Sequence, residues 1–166
     1  MSNDAIVMLK DDHKAVRALF AQLRAAGPNA AATKGRLVDK IIELLTVHTY
    51  IENEGMYPAV RKLLPDLEPD ILESFEEHHV ADLLCTELAA MSPEAERFDA
   101  KATVLMESVE HHIEEEETVW FPKVREALGR NDLREIGAQL LVLREKAPHH
   151  PAQPSALKKA LDAIIS

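Results

Sequence analysis

Apolar residues recur along this chain at the three- and four-residue spacings of helix faces, glycine is scarce and β-branched runs are short, so the pattern predicts helices and no strand. A first helix is expected from near Asp4, in the polar cap region Ser2-Asn3-Asp4, to just before Gly27-Pro28, with the stripe Ile6, Leu9, Val16, Phe20, Leu23. A second is expected from about Thr33 to Gly55, a third from near Pro69 to about Ala90, and a fourth opening at Ser92-Pro93-Glu94. Short extensions to about Leu64 and Leu128 follow Tyr57-Pro58 and Phe121-Pro122, because proline permits a new helical start. Four long helices with short connections predict an all-α, up-down four-helix bundle over residues 1–130. Residues 131–166 read as a C-terminal helical extension: a helix over Asn131 to Lys146, the Pro/His stretch Ala147 to Pro151, and an amphipathic piece around Ala156 to Ile165.

Polar residues interrupt the apolar stripes at regular places. His13 completes the spacing between Leu9 and Val16, while His48 and Glu52 continue the stripe of Ile41 and Leu45, and His112 and Glu116 that of Leu105 and Val109. Residues four apart on a helix share a face, so each His-x₃-Glu pair aims an imidazole and a carboxylate at one point. The chain is also internally doubled. A shift of 64 residues lays Glu43, His48, Glu52, Pro58, Val60, Arg61 and Leu64 on identical residues from Glu107 to Leu128. A shift of 65 lays His13 on His78, with Val16, Leu19 and Leu23 on Ala81, Leu84 and Leu88, whereas placing His79 there would set Asp82 against core-facing Val16. His78 is therefore the expected inward histidine of the third helix.

The candidate site is thus His13, His48, Glu52, His78, His112 and Glu116. A single histidine in an apolar stripe is ordinarily a core residue with a backbone partner, but two glutamates in such stripes would each carry a heavy desolvation penalty unless paired or bound to metal. Imidazole and carboxylate without thiolate suit iron, manganese or zinc, and facing helices of a bundle supply such ligands to di-metal centres. If each glutamate bridges, each ion receives two histidines and two carboxylate oxygens, and an oxo or hydroxo bridge leaves one position open on each. Two adjacent ions could then take a diatomic molecule or a peroxide side by side.

These residues resemble the hemerythrin-like, or HHE cation-binding, domain family. The resemblance covers roughly residues 4 to 128 and rests on Asp12-His13, His48-x₃-Glu52-x-Glu54 with Tyr57-Pro58, Glu76-Glu77-His78, and His112-x₃-Glu116-Glu117 with Phe121-Pro122. It implies a four-helix bundle holding two non-haem iron ions, oxo- or hydroxo-bridged, on the six residues above. Relatives of this kind carry or sense O₂, bind NO, handle iron or remove peroxide. Oxygen carriers of the family hold a fifth histidine one turn after the third-helix ligand, where this chain has Asp82; its loss makes the site more symmetric and favours reactions that need both ions. The function expected is binding of O₂-derived species or NO, with catalase-like peroxide disproportionation or iron storage and sensing as alternatives.

Other residues have blander readings. Glu54, Glu115 and Glu117 are expected as solvated helix-face charges, with Glu54 and Glu117 the two that could orient ligands. Tyr50 is expected to be peripheral, Tyr57, Trp120 and Phe121 to close one end of the bundle, His111 to lie either behind the ligands or at the surface, and Cys85 to be a buried, inert thiol. The net charge of −10 argues against a nucleic-acid partner. One cysteine, no basic segment before an apolar one in Met1 to Lys10, and apolar runs far below the ~20 residues a membrane helix needs predict a cytoplasmic protein without a membrane partner.

Overall fold

The computed structural model describes residues 3–151, and no strand occurs among them. Helices run over Ala5–Ala25 (α1), Ala31–Ile51 (α2), Tyr57–Leu63 (α3), Glu68–Ala89 (α4), Phe98–Glu115 (α5), Phe121–Ala127 (α6) and Arg130–Lys146 (α7). The Asp4 side chain accepts from the Val7 amide and caps α1, as the polar run before it predicts. α1 pairs with α2 and α4 with α5, and the two hairpins close into an up-down bundle, with α7 laid across α1 and α2. The amphipathic piece expected around Ala156 to Ile165 lies outside the described residues.

Two boundaries differ from expectation. Ser92-Pro93-Glu94 does not open the fourth helix: Ser92–Arg97 forms turns, with Ala95 N–H bonded to the Ser92 carbonyl and Phe98 N–H to that of Ala95, and α5 starts at Phe98. Pro93 packs so closely on Gly35 that a Cβ there would come within 2.7 Å of the proline ring, which ties this turn to the start of α2. The breaks expected at Tyr57-Pro58 and Phe121-Pro122 are instead continuous helix, because a π-helical turn, Glu52–Met56 or Glu116–Trp120, joins α2 to α3 and α5 to α6. Each such turn begins at a glutamate of the candidate site.

The core is divided. One apolar cluster, with Leu9, Ile51, Tyr57, Ile71, Trp120 and Phe121, reaches Leu133, Ile136 and Leu140 of α7. A second, with Val16, Phe20, Ile41, Leu45, Cys85, Leu88, Leu105 and Val109, fills the opposite end. The stripe histidines fall between the two in every long helix, so the bundle carries a polar layer across its middle. Cys85 is buried in the second cluster, and burial pushes its thiol up to about 12, as an inert core thiol requires.

Candidate metal centre

All six sequence-derived residues meet in that layer, each buried: His13, Glu52 and Glu116 are fully inaccessible and His48, His78 and His112 nearly so. His79 is exposed, so the 65-residue register chose the inward histidine of α4. Two groups of potential ligand atoms form: His13, His48, Glu52 and Glu116 within 4.8 Å of one another, and Glu52, His78 and His112 within the same limit. Each hairpin thus supplies two histidines to one group, and Glu52 belongs to both.

Every imidazole is fixed from behind. Nδ1 of His13 lies 2.8 Å from Glu117 Oε1, that of His48 3.1 Å from Asp12 Oδ2, that of His78 2.7 Å from Asn53 Oδ1, and that of His112 3.2 Å from Glu77 Oε1. Oxygen acceptors require Nδ1 to donate, which turns each Nε2 toward the centre, the orientation metal-binding histidines adopt. Glu117 is therefore not the solvated charge expected; it orients His13, while Arg17 donates to both of its oxygens at 3.2 and 3.3 Å. Glu54 is exposed, and His111 is a surface residue 3.4 Å from Glu115. The sequence marks Asp12 and Glu77 only as neighbours of the histidines, and Asn53 not at all. The repeat already contains the signal: a shift of 65 pairs Asp12 with Glu77, and a shift of 64 pairs Asn53 with Glu117.

Tyr57 is the second omission. Its ring packs with Phe75 and Trp120 at one end of the bundle as expected, but its hydroxyl enters the site. It donates to Glu116 Oε1 at 2.8 Å and lies 3.0 Å from His78 Nε2, 3.3 Å from Glu52 Oε2 and 3.4 Å from His112 Nε2. In an α-helix a residue five positions after Glu52 would point about 140° away. The π-turn bonds the Tyr57 amide to the Glu52 carbonyl, i to i+5, and returns the side chain to the glutamate's face. Phe121 holds the same place after Glu116 and stacks on His13 at 5.9 Å, with no hydroxyl to offer.

The electrostatics of these residues show what a cation would do. Burial, reinforced by Glu116, pushes the Glu52 carboxyl up to about 8. Burial pushes Glu116 up too, yet His112 and His13 outweigh it and hold that carboxyl well below the usual range. Burial holds His78 well below its ordinary value, with the neighbouring His112 adding to the effect. Burial also acts on His112, where the Glu116 carboxylate wins and raises it. Two buried glutamates cannot both ionise cheaply without a counter-charge.

Besides Trp120 Nε1, four buried atoms, His13 Nε2, His48 Nε2, Glu52 Oε1 and Glu116 Oε2, have no hydrogen-bond partner among the described residues. These belong to the first ligand group. Buried polar atoms left without partners on converging side chains fit a metal ion, and mixed imidazole and carboxylate donors suit iron, manganese or zinc. Beside His48, His78 and His112 lies a cavity of about 20 Å³ whose wall is otherwise mainly Leu45, Ala81, Val109 and Ile113.

The comparisons agree with this geometry. A family model described as the hemerythrin HHE cation binding domain matches residues 4–124. A curated relative from Nostoc sp., named a DNA nickase, is 26% identical over 139 residues, covering 84% of this chain; the chain spans only 38% of that protein's length. In fold, the chain is similar to the crystal structure of a hemerythrin HHE cation binding domain-containing protein from Mycobacterium kansasii, with a TM-score of 0.73 and 22% identity over 88% of this chain and 87% of that one. No helix among the described residues is long and apolar enough to cross a membrane. With a buried layer of paired histidines and glutamates across an up-down bundle and a family model spanning most of its length, this chain belongs to the hemerythrin HHE cation-binding family.

Proposed function

We propose that the chain is a cytoplasmic diiron protein that binds O₂-derived species or NO at a carboxylate-bridged pair of ions. His13 and His48 would hold one ion, His78 and His112 the other, with Glu52 and Glu116 between them. Bound iron would supply Fe(II)/Fe(III) redox change and open coordination positions. The observation that carries the reading is the cavity beside the histidines, about 20 Å³ in volume. A space so small favours a ligand of one or two heavy atoms, such as a diatomic or a peroxide, over an organic substrate. Its largely apolar wall limits competing water.

A second reading, catalase-like disproportionation, draws support from Tyr57. Converting two peroxides into two waters and one O₂ requires protons to be moved at the reacting oxygens. Burial, with Glu116 and Glu52 beside it, holds the phenol well above its ordinary value and therefore protonated, ready to donate. Its position between His78 and Glu116 puts that proton at the centre of the site.

Anaerobic purification with metal analysis, followed by optical spectra on separate addition of O₂, NO and peroxide, tests both. Two irons per chain with stoichiometric spectral change and no peroxide loss supports binding; sustained O₂ evolution from peroxide supports disproportionation. A firm count of one ion with all six side chains intact overturns the dinuclear site. Asp82→His separates the two readings further, since a fifth imidazole one turn after His78 should improve reversible O₂ uptake and lower peroxide consumption.

A further inference from the structure

Helix α7 reaches the candidate centre by two routes. Arg144, in its last turn, grips Asp12 with both guanidinium nitrogens, Nη1 to Oδ1 at 3.0 Å and Nη2 to Oδ2 at 2.9 Å. Asp12 is buried on α1 and its Oδ2 accepts from His48 Nδ1 at 3.1 Å. The second route is apolar. Leu140 and Leu143 press on Gly55 inside the π-turn that starts at Glu52, so tightly that a Cβ on Gly55 would come within 2.6 Å of Leu140 Cδ2 and 2.7 Å of Leu143 Cδ1. Gly137, further back on α7, lets the Asn3 carbonyl approach where no side chain would fit.

The other hairpin has no such attachment. Glu77, the repeat counterpart of Asp12, accepts from His112, and no arginine reaches it among the described residues. We infer that α7 is a coupling arm for one of the two ion positions: Arg144, acting through Asp12, positions His48, so retention of the ion on His13 and His48 depends on α7 being docked, and that ion in turn fastens α7. This rests on the dinuclear reading above.

The physical reason is the forked geometry of the contact. A bidentate arginine fixes the carboxylate plane, and the carboxylate fixes the imidazole's rotation and raises its donor strength. Without Arg144, a largely buried Asp12 would have His48 alone as partner and would be free to rotate, releasing the ring. Coupling between two sites is reciprocal, so an ion that binds better to an oriented His48 must also favour the docked helix.

The test uses the full chain loaded with two irons and challenged with a chelator. Arg144→Gln should accelerate one of the two release phases about 10-fold and leave the other unchanged, in line with the cost of losing such an outer partner. Arg144→Lys, which keeps the charge but loses the fork, should fall between wild type and Arg144→Gln. Arg24→Gln removes a comparable bidentate pair, with Glu110, on a solvent-exposed face and touching none of the six residues, and should change neither phase. In wild type, hydrogen exchange of amides 140–146 should slow when iron is bound, and the slowing should shrink in both Arg144 variants. Unchanged release in Arg144→Gln overturns the inference alone. So does equal acceleration of both phases accompanied by a lower melting temperature of the stripped protein, which is what a purely structural arginine produces. If Arg144→Gln does not fold, metal-independent exchange of residues 140–146 in wild type overturns it instead. Wild-type protein that takes up fewer than two ions removes the inference together with the dinuclear reading.

Discussion

The two hairpins present the same inner ligands on unlike supports. His13 and His48 on α1 and α2 correspond by the repeat to His78 and His112 on α4 and α5, and Glu52 to Glu116. Behind them the correspondence breaks. His13 leans on the carboxylate of Glu117, which Arg17 holds, whereas His78 leans on the neutral amide of Asn53. The residue matching Arg17 is Asp82, an anion at the place where the first hairpin has a cation. Tyr57 brings a hydroxyl to His78 and His112, while its counterpart Phe121 covers His13 with a bare ring. A carboxylate behind an imidazole makes it a stronger donor than an amide does. The first hairpin thus presents two imidazoles that each lean on a carboxylate, while the second contributes more of the cavity wall and faces the phenol.

The most damaging change should be at what the halves share. Glu52→Ala and Glu116→Ala are each expected to abolish most paired-metal absorption and at least 100-fold of metal affinity, while Glu54→Ala retains both; titration with Fe(II) under argon measures this. Retained pairing in the Glu52 variant would mean that the halves are separate sites.

Metal removal comes next. Ions bound only by the folded chain should stabilise it by about 3 kcal/mol each at free concentrations ~100 times Kd. With two ions, a chain of this size should then melt about 12–24 °C lower when stripped. Calorimetry at neutral pH with and without chelator gives the answer, and coincident curves would show the six side chains to be solvated.

The supports can be exchanged. Glu117→Gln should weaken retention of the ion on His13 by about 10-fold, and Asn53→Asp should strengthen retention on His78 by a smaller factor. A double variant with similar release of both ions would confirm that outer partners, not inner ligands, set the difference.

Tyr57→Phe makes the aromatic positions alike. Metal content should persist while any peroxide consumption falls about 10-fold or more. The converse, Phe121→Tyr, puts a hydroxyl beside His13, in the group where Glu52 Oε1 and Glu116 Oε2 lack partners, and should change stability in urea denaturation by less than about 1 kcal/mol. An unaffected rate in Tyr57→Phe would leave the phenol a packing residue.

The smallest effect belongs to Asp82, whose carboxyl burial pushes up to about 6. A folded value above the unfolded one means that stability is greatest below the unfolded value, near 4, and is lost as pH rises through 6. Asp82→Asn should therefore gain about 1–2 kcal/mol at pH 7.5, less than the full shift of ~3 kcal/mol because the group keeps some solvent, and the gain should vanish toward pH 4. Equal gains at both pH values would point to packing instead of charge.

The legible part of this molecule was local and periodic. Helix spacing carried the stripes, the caps and the four long elements, and the same spacing exposed His48 with Glu52 and His112 with Glu116 as anomalies, because a charge in an apolar stripe must be compensated. Register across the repeat then separated His78 from His79. Glu117 was expected first as a solvated charge and only second as an orienting group, because a glutamate flanking a core position is ordinarily solvated, and nothing local says that His13, 104 residues away, needs an acceptor there.

Sequence alone determined which faces would be buried and which six polar residues those faces carried, since both follow from an angle per residue and the cost of burying charge. Tertiary structure decided the rest. The π-turns at Glu52 and Glu116 depend on one additional residue per turn that periodicity does not register, yet they alone bring Tyr57 back to the site and Phe121 onto His13. The links from Glu117, Asp12, Asn53 and Glu77 join different helices, and Arg144 reaches Asp12 across 132 residues; partners so distant in sequence meet only once the hairpins and α7 have packed.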